Sequence, residues 1–290
     1  MYSVDNAIIM AAGLSSRFAP LSYEKPKALI EVHGEVLIER QIRQLIEAGI
    51  PEIVIVTGYK AEMFAYLQEK YGVKLVWNRE YTTRNNHASL YVAKEYLKNS
   101  YICSADNYFA VNPFEKCVSK SYYATVYAEG NTKEWCVFSD ENERIIQVRV
   151  GGENAWYMMG HAFFDQEFSC KFRSILEKEY NHPDTVNLFW ENIYINHIDE
   201  LDMWIRKYED GTIYEFDSLD ELREFDRSYI QNTRSSIIEK IAHELNCEQI
   251  DISDVFPIKD EEMVIGFRFL CQGTDYQYFY ANGILEKVTQ

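Results

Sequence analysis

The chain has 290 residues, 47% of them hydrophobic, and carries 29 lysines and arginines against 46 aspartates and glutamates, a formal charge of −17 at pH 7. That length suffices for one large α/β domain with a small appendage, and the acidic excess repels polyanions, which argues against nucleic acid or an anionic membrane as the main partner and requires any phosphate site to be locally basic. No apolar run is long enough to span a bilayer and the N-terminus lacks a signal-peptide pattern, so a cytoplasmic protein without membrane insertion is expected, and six cysteines without C-x-x-C spacing read as reduced packing residues rather than zinc ligands or a disulfide framework.

An apolar run over 4–10 leads straight into Ala11-Ala12-Gly13-Leu14-Ser15-Ser16-Arg17. This reads as a buried strand opening into a tight loop whose small residues let backbone N–H groups approach an anion, with Arg17 and, beyond Pro26, Lys27 as cations. A loop of this kind also serves as a plain connector, with Arg17 as an ordinary surface cation. Neither G-x-G-x-x-G nor G-x-x-x-x-G-K-[ST] occurs, so neither a dinucleotide fingerprint nor a P-loop is indicated. Strand-like segments at 53–57, 74–77 and 101–104 then alternate with helical periodicity over 37–47, 61–70 and 88–97. The alternation predicts a mainly parallel, Rossmann-like sheet covered on both faces, with the site at the strand C-terminal ends. Asp106 directly follows one of those strands and suits such a site, although turn or capping chemistry also suits it.

Beyond Asp106 the pattern turns β-rich, with runs at 122–128, 135–138, 145–150 and 156–164, before helical periodicity returns over 168–180 and 186–196. Antiparallel strands acting as a lid for a second substrate are expected. A short strand over 214–216 places Glu215 and Asp217 on one face, a costly pairing unless a cation joins them, though solvent would also serve on an exposed edge. A helix over 219–225 closes a domain expected at 1–227. The remainder, 228–290, has a helix-like stretch at 236–245 and strand-like runs at 255–260, 266–270 and 276–280.

The ordered series of apolar strand, Ala-Ala-Gly-x-x-Ser-Arg, Pro20-Leu21 and Pro26-Lys27-Ala28-Leu29 resembles the signature of sugar-nucleotide and related nucleotidyltransferases. Asn85-Asn86-His87-Ala88-Ser89, Ala105-Asp106-Asn107, Glu134-Trp135, Leu188-Phe189-Trp190-Glu191-Asn192 and Tyr214-Glu215-Phe216-Asp217 narrow it to the bacterial CTP:phosphocholine cytidylyltransferases. Many members carry a second glycine where this chain has Ser15. The tail resembles the opening of a choline-kinase-type N-lobe without its catalytic parts, and reads as a non-catalytic remnant or docking module, or as a local α+β extension packed on the transferase.

The resemblance implies a Mg²⁺-dependent transfer of a cytidylyl group from CTP to phosphocholine, with release of pyrophosphate. It assigns the triphosphate to Ala11, Ala12, Gly13, Ser15, Ser16, Arg17 and Lys27, the base or ribose to Asn85, Asn86 and Ser89, and the metal to Asp106, Glu215 and Asp217. A quaternary ammonium offers no N–H donor and is held over aromatic faces beside a carboxylate. Trp135 with Glu134 and Trp190 with Glu191 are therefore the expected acceptor residues, joined by Trp156 and Tyr157. Rival readings keep the reaction but change the acceptor to 2-aminoethylphosphonate or a sugar phosphate, or treat the chain as a non-catalytic binding protein. His33, His87 and His161 lack ligand spacing and carry no role.

Overall fold

A computed structural model describes residues 1–261 and 263–288. They form two compact units, one of Met1–Gly13 with Ile38–Tyr214, the other of Leu14–Leu37 with the described residues from Glu215 onward.

The first unit is built on a seven-stranded sheet. Its strands are β1 (Asn6–Ala11), β2 (Ile53–Thr57), β3 (Lys74–Trp77), β4 (Ser100–Ser104), β5 (Tyr122–Ser139), β6 (Ile145–Phe164) and β7 (Trp204–Lys207), in the order β7-β5-β6-β4-β1-β2-β3. β4, β1, β2 and β3 are mutually parallel, as the alternation predicts. Continuous apolar runs such as Ile8-Ile9 and Val54-Ile55-Val56, fully buried, suit strands covered on both faces. Helix α1 (Leu37–Glu47) buries Ile38, Ile42 and Leu45, one helical face, and turns Arg43 and Glu47 outward as an ion pair. Further cover comes from α2 (Tyr66–Tyr71), α3 (His87–Val92), α4 (Gln166–Glu179) and α5 (Trp190–Asn196).

Three expectations are corrected. The four β-rich runs are two long strands, β5 and β6, paired antiparallel through repeated bulges. β6 pairs in turn with β4 (Ala162 with Ile102), so this hairpin continues the central sheet instead of forming a separate lid. Its outer half, residues 127–135 and 149–157, is exposed or half-buried throughout, because few side chains there find a covering layer. The second correction is that α5 begins only at Trp190, after an irregular stretch tied to Asn85. Third, the short strand near the end is Ile213–Tyr214, paired with Tyr108–Phe109, and Glu215 to Asp217 lie beyond it.

In the second unit, α6 (Leu219–Phe225) and α7 (Ser236–Leu245) accompany a four-stranded antiparallel meander, β8 (Ile252–Asp260), β9 (Met263–Cys271), β10 (Thr274–Phe279) and β11 (Ile284–Lys287). The residues after 228 therefore share one compact unit with 14–37 and 215–227. Buried Arg223 joins them, donating to the carbonyls of Ile252 (2.6 Å) and Gln249 (2.7 Å). Cys103, Cys136 and Cys271 are buried as packing thiols, whereas Cys117 and Cys170 are exposed. No helix among the described residues is long and apolar enough to cross a membrane.

Candidate active site

In the second unit the structure brings Arg17, Lys27 and Asp217 together. Arg17 sits in a 3-10 turn, Ser16–Phe18, started by Ser15, whose φ of 48° and ψ of 47° lie in the left-handed region. That conformation costs an L-residue about 1–2 kcal/mol and is free for glycine, which accounts for glycine in other members of the resembled family. The Ser15 carbonyl accepts the Phe18 N–H at 2.9 Å, and Ser16 is half-buried. Arg17, with 72% of its side chain exposed, reaches Asp217 Oδ2 at 2.7 Å, and Lys27, only 4% exposed, approaches Asp217 Oδ1 at 3.6 Å. Pro26 precedes a second 3-10 turn, Lys27–Leu29, which carries Lys27 inward with its ammonium 5.5 Å from the Phe18 ring centre. Asp217 is held just ahead of α6, where its backbone N–H donates to Glu221 at 2.7 Å while Ser218 caps the helix through the Glu221 N–H.

Glu215 departs from expectation. With Phe216 buried between them, Glu215 stands exposed while Asp217 is half-buried against the two cations. Among the described residues no group of three His, Cys, Asp or Glu side chains gathers to hold a metal. Mg²⁺ is usually held by only one or two carboxylates, with substrate phosphates and water completing the shell. A single carboxylate in each unit, Asp106 in the first and Asp217 in the second, offers the hard oxygen donors such an ion takes, and a cage built wholly from protein is not what either unit presents.

The first unit holds the opening of the glycine loop and the Asp106 turn. Ala11 ends β1, and Ala12 is buried with its carbonyl accepting the Tyr59 N–H at 3.1 Å. Gly13 is exposed, and a Cβ added there would meet nothing within 4 Å, so its backbone is open to an anion. Gly58 was not singled out by motif, yet a Cβ at that position would lie 2.7 Å from the Ala12 carbonyl oxygen and 2.8 Å from the Tyr81 ring. Only glycine lets the chain pass there. Asp106, half-buried, follows β4 by one residue, and the Ala105 N–H bonds the Met10 carbonyl at 3.1 Å. Buried Gln41, on α1, donates to the carbonyls of Ser104 (2.8 Å) and Asn107 (2.9 Å), bracketing Asp106. A lone glutamine on a helix gives no sequence signal for this role.

Asn85, Asn86 and Ser89 are engaged in the fold. The Asn85 N–H and amide reach the carbonyls of Val186 (3.0 Å) and Asn187 (3.2 Å), the Asn86 Oδ1 accepts the Trp190 N–H at 2.7 Å, and buried Ser89 takes a bond from Asn78 at 3.3 Å. His87 Nδ1 bonds the Leu188 carbonyl at 2.6 Å. This segment fastens the stretch before α5 and so places three consecutive residues, Phe189, Trp190 and Glu191.

Those three diverge. Trp190 is 1% exposed and packs on Tyr123 (stacked, 5.6 Å), Phe164 and Phe172, so the expectation that its ring walls an acceptor site is corrected: it is core. Phe189 is exposed and meets half-buried Trp135 edge-on, centroids 5.8 Å apart and planes at 90°. The partly buried Glu191 carboxylate accepts from the Tyr123 hydroxyl (3.1 Å) and the Asn86 amide (3.4 Å), both neutral donors, and burial pushes its pKa up to about 7. Such a carboxylate is poised for a cation supplied from outside. Glu134 is exposed. Trp156, half-buried, already contacts Tyr127 and lies under the Lys207 ammonium, 5.4 Å away. Tyr157, its half-buried neighbour on β6, pairs with Val126 in the hairpin. Trp135, Phe189, Glu191 and Tyr123 thus form the acceptor candidate, and Phe189 and Tyr123 enter it from structure.

The chain matches the model of the MobA-like NTP transferase domain over residues 7–148. It is 40% identical over 220 residues to the choline-phosphate cytidylyltransferase of Streptococcus pneumoniae, covering 76% of this chain and 96% of that protein. To the 2-aminoethylphosphonate cytidylyltransferase of Lancefieldella rimae it is 38% identical over 234 residues, 79% of this chain and 95% of the relative. A solved structure of the CTP:phosphocholine cytidylyltransferase from Streptococcus pneumoniae superposes with a TM-score of 0.75 at 40% identity, over 78% of this chain and 99% of that one.

Proposed function

Because this chain belongs to the nucleotidyltransferase family that includes the bacterial choline-phosphate cytidylyltransferases, we propose that it transfers a cytidylyl group from CTP to phosphocholine, yielding CDP-choline and pyrophosphate. An acceptor phosphate oxygen attacks the α-phosphorus and pyrophosphate leaves in line. Both reactants are anions, so the protein's work is alignment and charge neutralisation. Arg17 and Lys27 turn from Asp217 to the triphosphate. Lys27 is the more effective for being buried, where a charge is less screened. The Gly13 backbone admits the phosphates closely. Mg²⁺, when bound, would neutralise charge developing around the α-phosphate, and Asp106 in the first unit and Asp217 in the second are the carboxylates this reading reserves for it.

The observation that carries the acceptor is Glu191, a carboxylate whose bonds to Tyr123 and Asn86 come from neutral donors and whose pKa is pushed up to about 7, two residues from a Phe189 that meets Trp135. A trimethylammonium placed against those rings would supply the missing positive charge without needing a hydrogen bond. The similar 2-aminoethylphosphonate enzyme keeps a second reading in view: a primary ammonium would donate directly to Glu191. A pyrophosphate-release assay crossing four nucleoside triphosphates with phosphocholine, 2-aminoethylphosphonate and sugar phosphates decides. Highest kcat/KM for CTP with phosphocholine is expected, and preference for 2-aminoethylphosphonate overturns the choline reading.

A further inference from the structure

Within the second unit, the chain between Arg17 and Lys27 is gripped by residues from the tail. Glu24 ends the short helix Leu21–Glu24. Its Oε1 accepts the backbone N–H groups of Ser236 (2.8 Å) and Ile237 (3.3 Å), together with the Ser236 hydroxyl. A carboxylate thereby satisfies the first N–H groups of α7, where the helix dipole also favours negative charge. Next to it Tyr23 stacks on Tyr280 with centroids 3.6 Å apart and planes 6° from parallel. On the far side of Lys27, the Glu31 carbonyl accepts from Arg234 at 3.1 Å and from the Tyr229 hydroxyl at 2.5 Å.

The gripped segment cannot order itself. Its helix is four residues long and the turn bearing Lys27 is three, both far below the length at which a helix is stable without tertiary contacts. A loop free to wander would have to be ordered each time a triphosphate bound, and that ordering would be subtracted from affinity.

We propose that the tail beyond residue 228 is a positioning element for triphosphate binding, with Tyr280 and Ser236 acting through Tyr23 and Glu24 on the loop that carries Arg17 and Lys27. The proposal rests on reading those two cations as phosphate ligands. The tail works by holding the loop in its binding form before the anion arrives.

Inorganic triphosphate is the probe, titrated calorimetrically into full-length protein, because its binding depends on neither base nor acceptor. Tyr280→Ala should weaken it about 2- to 10-fold, the equivalent of losing one aromatic pair. KM for CTP should rise by the same factor while KM for phosphocholine stays within about twofold. Tyr280→Phe keeps the stack and should bind as wild type does, and Ser236→Ala gives a smaller loss in the same direction should Tyr280→Ala fold poorly. Phe269→Leu, in the tail core where Phe269 stacks on Tyr276, should lower Tm yet leave triphosphate affinity unchanged. Unaltered affinity in Tyr280→Ala and Ser236→Ala, or equal weakening by Phe269→Leu, overturns the proposal and leaves the tail a general stabiliser. Wild-type protein that binds triphosphate but transfers to no acceptor would refute the cytidylyl-transfer reading alone, whereas Arg17→Ala binding triphosphate undiminished would refute the phosphate assignment and the proposal together.

Discussion

Replacing Glu191 by glutamine separates what the buried carboxylate costs the free protein from what it contributes to binding. Burial moves its pKa from 4.5 up to about 7. The folded protein therefore holds this proton more tightly than the unfolded chain, so the associated stability is fully present below pH 4.5 and lost as pH rises through 7. At about 1.4 kcal/mol per pH unit across that interval the loss is about 3.5 kcal/mol, an upper figure because the side chain keeps some solvent. Glutamine is neutral at every pH and preserves the oxygen that accepts from Tyr123 or Asn86. Glu191→Gln should match wild type in Tm at pH 4.5 and exceed it by several degrees at pH 8. Phosphocholine binding should move oppositely. The ionised carboxylate attracts the trimethylammonium, so KM for phosphocholine should be about tenfold or more higher in the variant at pH 8, and the two proteins should converge as pH falls to 5.5 and wild-type Glu191 protonates. The acceptor's own phosphate titrates near 6 in both proteins and cancels in the ratio. Parallel Tm curves, or a KM ratio constant from pH 8 to 5.5, would refute the assignment of Glu191 as the ammonium partner.

Three further outcomes follow from the geometry. Trp135→Ala should raise KM for phosphocholine several-fold, consistent with about 0.5–2 kcal/mol for one ring, and leave KM for CTP and Tm nearly unchanged; Trp190→Ala should instead cost about 3–5 kcal/mol of stability in chemical denaturation, since it empties the core between Tyr123, Phe164 and Phe172. Lys27→Ala should reduce kcat by about a hundredfold or more, and a change confined to KM for CTP would make Lys27 a ground-state binding group. Ser15→Gly should raise stability by up to about 1 kcal/mol by relieving the left-handed φ of 48° while retaining activity, whereas Gly13→Ala should leave Tm unchanged and weaken CTP binding, because its methyl group meets only space until phosphates arrive.

Sequence by itself determined the parallel strands and the loop that opens after β1, and it singled out Arg17, Lys27 and Asp217, which the structure brings together, and Asp106, which follows β4, because those signals are local: an apolar run buried on both faces, small residues after a strand, and a carboxylate at a strand end. It also located the 189–191 segment, but not what each of its residues does. Trp190 and Glu191 are neighbours on a helix start and point about 100° apart, and only the partners brought in from β5, β6, α4 and the residue just ahead of α3 decide that the indole enters the core while the carboxylate meets Asn86 and Tyr123. Glu215 and Asp217 share a period-two spacing, yet Arg17 and Lys27, far earlier in the chain, engage one of them and leave the other exposed. Gln41, Gly58 and the tail's hold on Glu24 carry no motif at all. Each acts through long-range contacts, carbonyls that accept an amide, a Cβ avoided or a helix end capped, and such contacts come into being only when the chain has folded.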